Sequence, residues 1–280
     1  MPRDVPMPQA SWSASLALAF ERRDGRSILA SRRHDGPLVV QKTFHPEGHE
    51  VCHGIVVHPP GGIAGGDTLE IQIQADTDAH ALLTTPGAAK WYRSSGPWAS
   101  QRVRLDVAAN AIVEWLPQET IIFDGALARL SFEANLAVGA HLVAWDITCL
   151  GRTGSGERFN RGRVRLDVRI VRDGRPLWIE CGELAPGSPA LESPVGLGGC
   201  TVFGTLAVAG CDVTDETLAA CRACLPAQGE GAVTRMPHLL LARYRGDDSE
   251  SARRYFTDVW RVIRPEAAGR PAIEPRIWRT

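Results

Sequence analysis

The sequence predicts a mainly β protein, built as stacked sheets or a β-helix-like solenoid, with two helices near the C-terminus. Three observations carry this expectation. Apolar and polar residues alternate with a period of two up to about residue 210. Turn signals such as Arg-Asp-Gly-Arg at 23–26 and 172–175 separate the alternating runs. No strand–helix–strand rhythm is present, so a doubly wound parallel sheet is not expected. No strict internal repeat is visible, which argues against a regular β-helix.

The individual elements follow from the same rules. Leu69, Ile71 and Ile73 alternate with Glu70, Gln72 and Gln74. Val103, Leu105 and Val107 alternate with Arg102, Arg104 and Asp106, and Val164 to Ile170 repeats the pattern between arginines. Each run puts one face on a core and one in water. A first helix is expected over about 214–224, capped by Thr214 or Asp215 and ended by Pro226 and Gly229. A second is expected over about 249–264, capped by Asp248 or Ser249. Ala252, Tyr255, Phe256, Val259, Val262 and Ile263 form its apolar stripe, and Pro265 should stop it. Residues 266–280 read as an extended arm. The whole of 1–280 reads as one domain, β-rich over 10–210.

The net charge is -1, which argues against nucleic acid as the main partner, since such binding rests on phosphate neutralisation. Lys42 and Lys90 are the only lysines; a GC-rich genome or an Arg-favouring protein interface both account for the bias. The seven cysteines are scattered and odd in number. No apolar leader precedes them and no run approaches the ~20 apolar residues of a membrane span, so a reducing, cytoplasmic setting is expected.

Several segments could carry chemistry. The run His58-Pro59-Pro60-Gly61-Gly62-Ile63-Ala64-Gly65-Gly66-Asp67 could cradle phosphate, but no Gly-Lys-Ser/Thr and no helix follow it. A sharp inter-strand loop with positive φ is the plainer account. Lys90 and Arg93 flank Trp91 and Tyr92, which gives either a cation–aromatic partner surface or a strand end packing two aromatics. Glu114, Glu119 and Asp124 lie in an apolar stretch, where carboxylates must be paired or functional. Their spacing does not bring them together on one strand. Asp146 and Glu157, with Arg152 between them, offer an acid pair or a salt-bridged strand end. Cys221 and Cys224 read as helix thiols, with Cys221 on the core face rather than a metal pair. His45, His49 and His53 share parity and could attract nickel or zinc, unless the turn at 46–48 separates them.

Taken in order, HPPGGIAGGD at 58–67, LLTTPGAAKWYRS at 82–94, EWLPQETIIFDGA at 114–126, WDITCLGR at 145–152 and VWRVIRPEAAGRPAIEPRIW at 259–278 resemble the urease accessory family UreD (UreH). The resemblance implies a β-rich chaperone without catalysis or a cofactor of its own. It implies UreF, UreG and the urease apoprotein as partners, nickel in transit, and GTP bound by UreG. With that role, Glu114, Glu119, Asp124, Asp146 and Glu157 become candidates for a polar nickel path, and pairing with Arg129, Arg152 or Arg158 the structural alternative. Trp260, Arg264 and Trp278 are candidates for the partner interface, Trp260 and Trp278 being read as exposed. Competing readings are a carboxylate-dependent hydrolase and a metal-independent binding scaffold.

Overall fold

Both Arg-Asp-Gly-Arg segments form hairpin turns, with Asp24 and Gly25 at φ 48° and 78°, and Asp173 and Gly174 at 48° and 70°. Two consecutive positive φ values match the right-handed twist of the flanking strands. The computed structural model describes residues 11–279. Residues 1–10, including residue 10 where the β-rich region was expected to begin, and Thr280 lie outside the described residues.

In chain order the strands are β1 (Ser13–Arg23), β2 (Arg26–Asp35), β3 (Val39–Phe44), β4 (Cys52–Val57), β5 (Thr68–Ala75) and β6 (His80–Thr84). Then come β7 (Ala89–Trp91), β8 (Ala99–Val107), β9 (Ile112–Trp115), β10 (Thr120–Ile122), β11 (Leu127–Leu136) and β12 (His141–Leu150). After β13 (Arg163–Arg172) and β14 (Arg175–Leu184) comes a short α1 (Pro189–Glu192). The chain then runs through β15 (Val202–Ala209), α2 (Asp215–Ala223), β16 (Glu230–Met236), β17 (Leu239–Gly246) and α3 (Ser249–Ala268).

The strands build two stacked sheets. The first has the order β14-β13-β11-β8-β5-β1-β2 and the second runs β16-β17-β15-β12-β9-β6-β4-β3. Each of β5, β8 and β11 turns directly into β6, β9 and β12 of the other sheet, and successive units stack in parallel. That is solenoid winding: parallel neighbours without crossover helices. Antiparallel strands close its ends, β2 and β3 at one side and β14, β16 and β17 at the other. Such capping limits the unpaired edge that a stack of parallel strands exposes.

One core lies between the sheets, with Leu16, Ile73, Leu105 and Leu142 almost fully buried. A second lies between the outer face of the second sheet and α2 and α3, around Trp145, Leu206, Phe256 and Trp260. Three expectations need correction. Strands β16 and β17 lie beyond residue 210, between the two long helices. The helix α3 runs through Pro265 to Ala268 instead of stopping at 264. Pro265 removes one N–H, but Ala267 and Ala268 are buried, and the Gly269 N–H closes the last turn on Pro265 O at 3.0 Å. The third is exposure: Trp260 is fully buried, and Trp278 is half-buried against Trp145 and Trp260, with centroids 5.4 and 5.8 Å apart. The tail thus folds onto the chain's own surface, where Trp278 Nε1 donates to Thr84 Oγ1 at 2.8 Å.

Candidate functional site

A partly open cavity of about 860 Å³ lies between the two sheets. Its walls are largely apolar, from Val103, Leu130, Phe132, Trp178 and Phe203. The turn Gly61–Gly62 and Lys90 line one part of it, and the segment 195–197 before β15 lines another.

Polar groups enter this cavity by strand alternation. On β12 the inward residues are Leu142, Ala144, Asp146 and Thr148, while Val143, Trp145 and Ile147 face the helices. Asp146 is therefore solvent-exposed through the cavity, although protein atoms surround its carboxyl closely. Burial first, then repulsion from Glu180, pushes its carboxyl up to about 7, with Arg243 pulling the other way. Glu180 on β14 receives Arg243 of β17, an ion pair that bridges the two sheets. With Arg243 engaged, Asp146 has no hydrogen-bond or ion-pair partner among the described residues.

On the opposite face of the same sheet lies a buried charge network. The Glu114 carboxylate of β9 accepts from His80 Nε2 at 2.7 Å, Trp260 Nε1 at 2.7 Å and Arg264 Nη2 at 2.8 Å. Glu47 accepts from His53 Nε2 at 2.6 Å and from Arg264 Nη1 at 2.6 Å. Arg264 also donates to the Pro271 carbonyl at 2.5 Å, which ties the tail down. Burial would raise the Glu114 carboxyl, but the His80 and Arg264 contacts hold it down at about 2. The two glutamates in turn hold Arg264 above its ordinary value despite its burial.

The other candidate acids lie apart. Glu119 pairs with Arg253 of α3 at 2.9 Å. Asp124 accepts from the Asn160 and Arg161 amides at 2.9 and 2.8 Å and from Arg161 Nη2 at 2.6 Å. Glu157 takes Arg152 Nη2 at 2.8 Å and the Asp124 amide at 3.2 Å. Of the five, only Asp146 lines the cavity. Arg152 is a partner as expected, but the others are Arg161, Arg253 and Arg264; Arg129 instead stands over the Trp98 ring at 5.8 Å.

The remaining motifs resolve simply. The glycine run is a loop with Gly61 and Gly66 at φ 75° and 97°, closed by Asp67, which accepts from the Ala64 and Trp12 amides at 2.8 Å. Cys221 is a buried core thiol. His45 and His49 meet edge to face at 6.1 Å, while His53 turns to Glu47. Among the described residues no group of three or more His, Cys, Asp or Glu is arranged to hold a metal ion.

Sequence reasoning missed Glu47, His80 and Glu180, and grouped His53 with His45 and His49 where the structure sets it on Glu47. Alternation in β14 could have found Glu180, since Trp178, Glu180, Gly182 and Leu184 share one face. Arg264 lies four residues after Trp260 on the buried face of α3, so a buried acid to receive it was also inferable.

The fold and its interior define a solenoid-like β protein with a partly open cavity between its sheets and a helical layer locked to one side by a buried charge network. The chain belongs to the UreD urease accessory protein family, whose model matches residues 13–279. It is 51% identical over 272 residues to the urease accessory protein UreD of Azoarcus sp. (strain BH72), covering 97% of this chain and 95% of that one. It is 49% identical over 284 residues to UreD of Dechloromonas aromatica (strain RCB), covering 100% and 99%. UreD 2 of Pseudomonas syringae pv. syringae (strain B728a) is 46% identical over 281 residues, covering 100% and 99%. Its general role is that of an accessory protein in urease maturation.

Proposed function

We propose that this chain is a cytoplasmic, non-catalytic chaperone that holds UreF and UreG on the urease apoprotein and passes nickel toward the urease active site. Nickel is cargo in this reading, and the GTP belongs to UreG. The observation that supports it is the cavity with Asp146 unpartnered in its wall and Glu180 opposite. A transient path for a dication calls for carboxylates and water, because tight imidazole or thiolate ligation would slow release. A low-dielectric wall strengthens the attraction of a carboxylate for the ion.

Within the proposed route Asp146 is the central acid. Glu114, Glu119, Asp124 and Glu157 would act further along it or, through their arginines, by holding the walls in place. The partner surface proposed for the C-terminal arm rests on the outer side of Trp278 and the exposed Ile273, because Trp260 and Arg264 are interior.

The test replaces Asp146 with Leu and with Asn, then measures assembly with UreF, UreG and urease alongside urease activation and nickel content. Normal assembly with poor activation is expected. Full activation by both variants would remove the conduit, and lost assembly would favour the metal-independent scaffold.

A further inference from the structure

The cation–aromatic segment Lys90–Arg93 touches the cavity only through Lys90, and Tyr92 and Arg93 belong neither to it nor to the helical layer. It lies at the loop end of the solenoid, where the turns before β5, β8, β11 and β13 meet. Backbone hydrogen bonds and side-chain packing knit these loops into one surface. The Ser94 amide donates to Gly125 O at 3.0 Å, and the Gly125 amide to Arg161 O at 2.8 Å. The Arg93 stem covers Gly125, where an added Cβ would lie 2.7 Å from Arg93 Cγ. Tyr92 packs on Phe123 at 5.1 Å, and Arg152 covers the same Phe123 ring at 4.4 Å.

The charge on this end is one-sided although the chain as a whole carries -1. Apart from Asp67, which the Ala64 and Trp12 amides hold, Arg93, Arg129, Arg152, Arg158, Arg161 and Arg165 stand here with Lys90 and Arg163, against Asp124, Glu157 and Glu183. Those three carboxylates are already taken by Arg161, Arg152 and Arg165. Arg93, Arg129 and Arg158 are exposed and make no ion pair among the described residues. Two aromatic side chains share the surface: Tyr92 is 40% exposed, and Trp12, next to the Asp67 turn, is 54% exposed.

We propose that this loop end is a docking face for a carboxylate-rich surface of a protein partner. Unneutralised arginine beside exposed Tyr and Trp is the composition of interface anchors. The excess positive charge selects an acidic counterpart and speeds its encounter. Nucleic acid fits less well, because the chain as a whole carries a net charge of -1 while binding to nucleic acid rests on extensive phosphate neutralisation. The proposal rests on the maturation-assembly reading and adds which face meets a partner; it is separate from the C-terminal arm and borders the cavity only at Gly61, Gly62 and Lys90.

The test compares the full wild-type chain with the triple variant Arg93→Glu, Arg129→Glu, Arg158→Glu. Each is captured with purified urease apoprotein, UreF and UreG in turn, over about 0.05 to about 0.5 M NaCl. At low salt the variant should bind at least one of the three about tenfold more weakly, and the salt dependence of that complex should flatten. Far-UV circular dichroism and Tm check the fold, and the triple Gln variant, which adds no repulsion, should give a smaller loss in the same direction. Unchanged affinity and salt dependence with all three partners would overturn the docking face. So would tight binding of a duplex DNA fragment lost in the triple Glu variant, which would make the face a nucleic-acid site. If the wild-type chain binds none of the three, the scaffold reading fails and this proposal with it. That outcome is distinct from a wild-type complex the variant leaves intact.

Discussion

Glu114 and Asp146 are carboxylates on the neighbouring strands β9 and β12, and they titrate in opposite directions. Val143 pairs with Glu114, so Asp146, three residues on, faces the other side of the sheet. Glu114 meets three donors, His80, Trp260 and Arg264, and is held at about 2; Asp146 meets apolar walls and Glu180 and is pushed up to about 7. The signs of their stability effects follow. The folded chain keeps a proton on Asp146 that the unfolded chain loses above about 4, so stability should fall as pH rises from about 4 to about 7 and level off above. Glu114 is the reverse: its contribution is present above its ordinary value of 4.5 and is lost as pH falls toward 2. Urea unfolding from pH 3 to pH 8 (approximately) should show the falling limb in the wild type and a flatter one in Asp146→Asn. Glu114→Gln should lose about 3–5 kcal/mol at neutral pH, because it strands Arg264 among fewer charges in a dry site. A loss under about 1 kcal/mol in this variant would mean that water reaches the network. The need of a buried acid for a partner was legible in the stretch 114–126; the identity of the partner was not, since Arg264 lies 150 residues away.

At the scale of elements, the helical layer shows where sequence periodicity succeeds and where it stops. The stripe Ala252, Tyr255, Phe256, Val259 and Ile263 is buried as its spacing dictates, and the Thr214 and Asp248 caps are in place, each accepting from amides of the first turn. Val262 is only half-buried, while Trp260 takes the interior position. Periodicity alone could not rank the two, because the choice depends on Glu114 waiting beneath Trp260. Contact between α3 and the sheet is close enough to require glycine at one point. A Cβ on Gly204 would meet the Asp146 carbonyl and lie 2.9 Å from Phe256 Cε2. Gly204→Ala should therefore cost about 1–3 kcal/mol and lower Tm, since a packed core resists even one added methyl. Trp278→Ala should cost about 2 kcal/mol, less than a fully buried Trp, and should raise hydrogen exchange in 270–279. Unchanged protection in that segment would show that the tail is held by the Arg264–Pro271 contact instead.

Across the whole molecule, winding was legible only in part. Alternation located the strands, and the absence of helices excluded a doubly wound sheet, but parallel neighbours leave no mark in alternation. The repeat lies in the turns. Asp78, Asn110 and Gly139 have φ of 62°, 57° and 78°, and each is followed by a fully buried alanine, Ala79, Ala111 or Ala140. Left-handed residue types differ at the three positions, so the shared conformation hides behind different letters. The solenoid ends are just as hidden, because closure depends on contacts between distant strands. At the β14 side the sheets are joined by the Glu180–Arg243 pair, and Arg245 reaches from β17 to the segment that crosses between them. Its Nη1 donates to the Pro194 and Gly196 carbonyls at 2.6 and 2.8 Å, while Nη2 holds Glu230 at 2.7 Å. That segment carries Val195, which is 98% exposed, and its residues 195–197 form part of the cavity wall. It has little apolar burial of its own, so local opening should be limited by Arg245 rather than by the core. Arg245→Ala should speed hydrogen exchange across 190–200 by about tenfold or more, with β8, β11 and β12 unchanged and Tm lowered only slightly. Faster exchange throughout both sheets would instead make Arg245 a support of the whole closure, and the crossing segment would then open only when the sheets part.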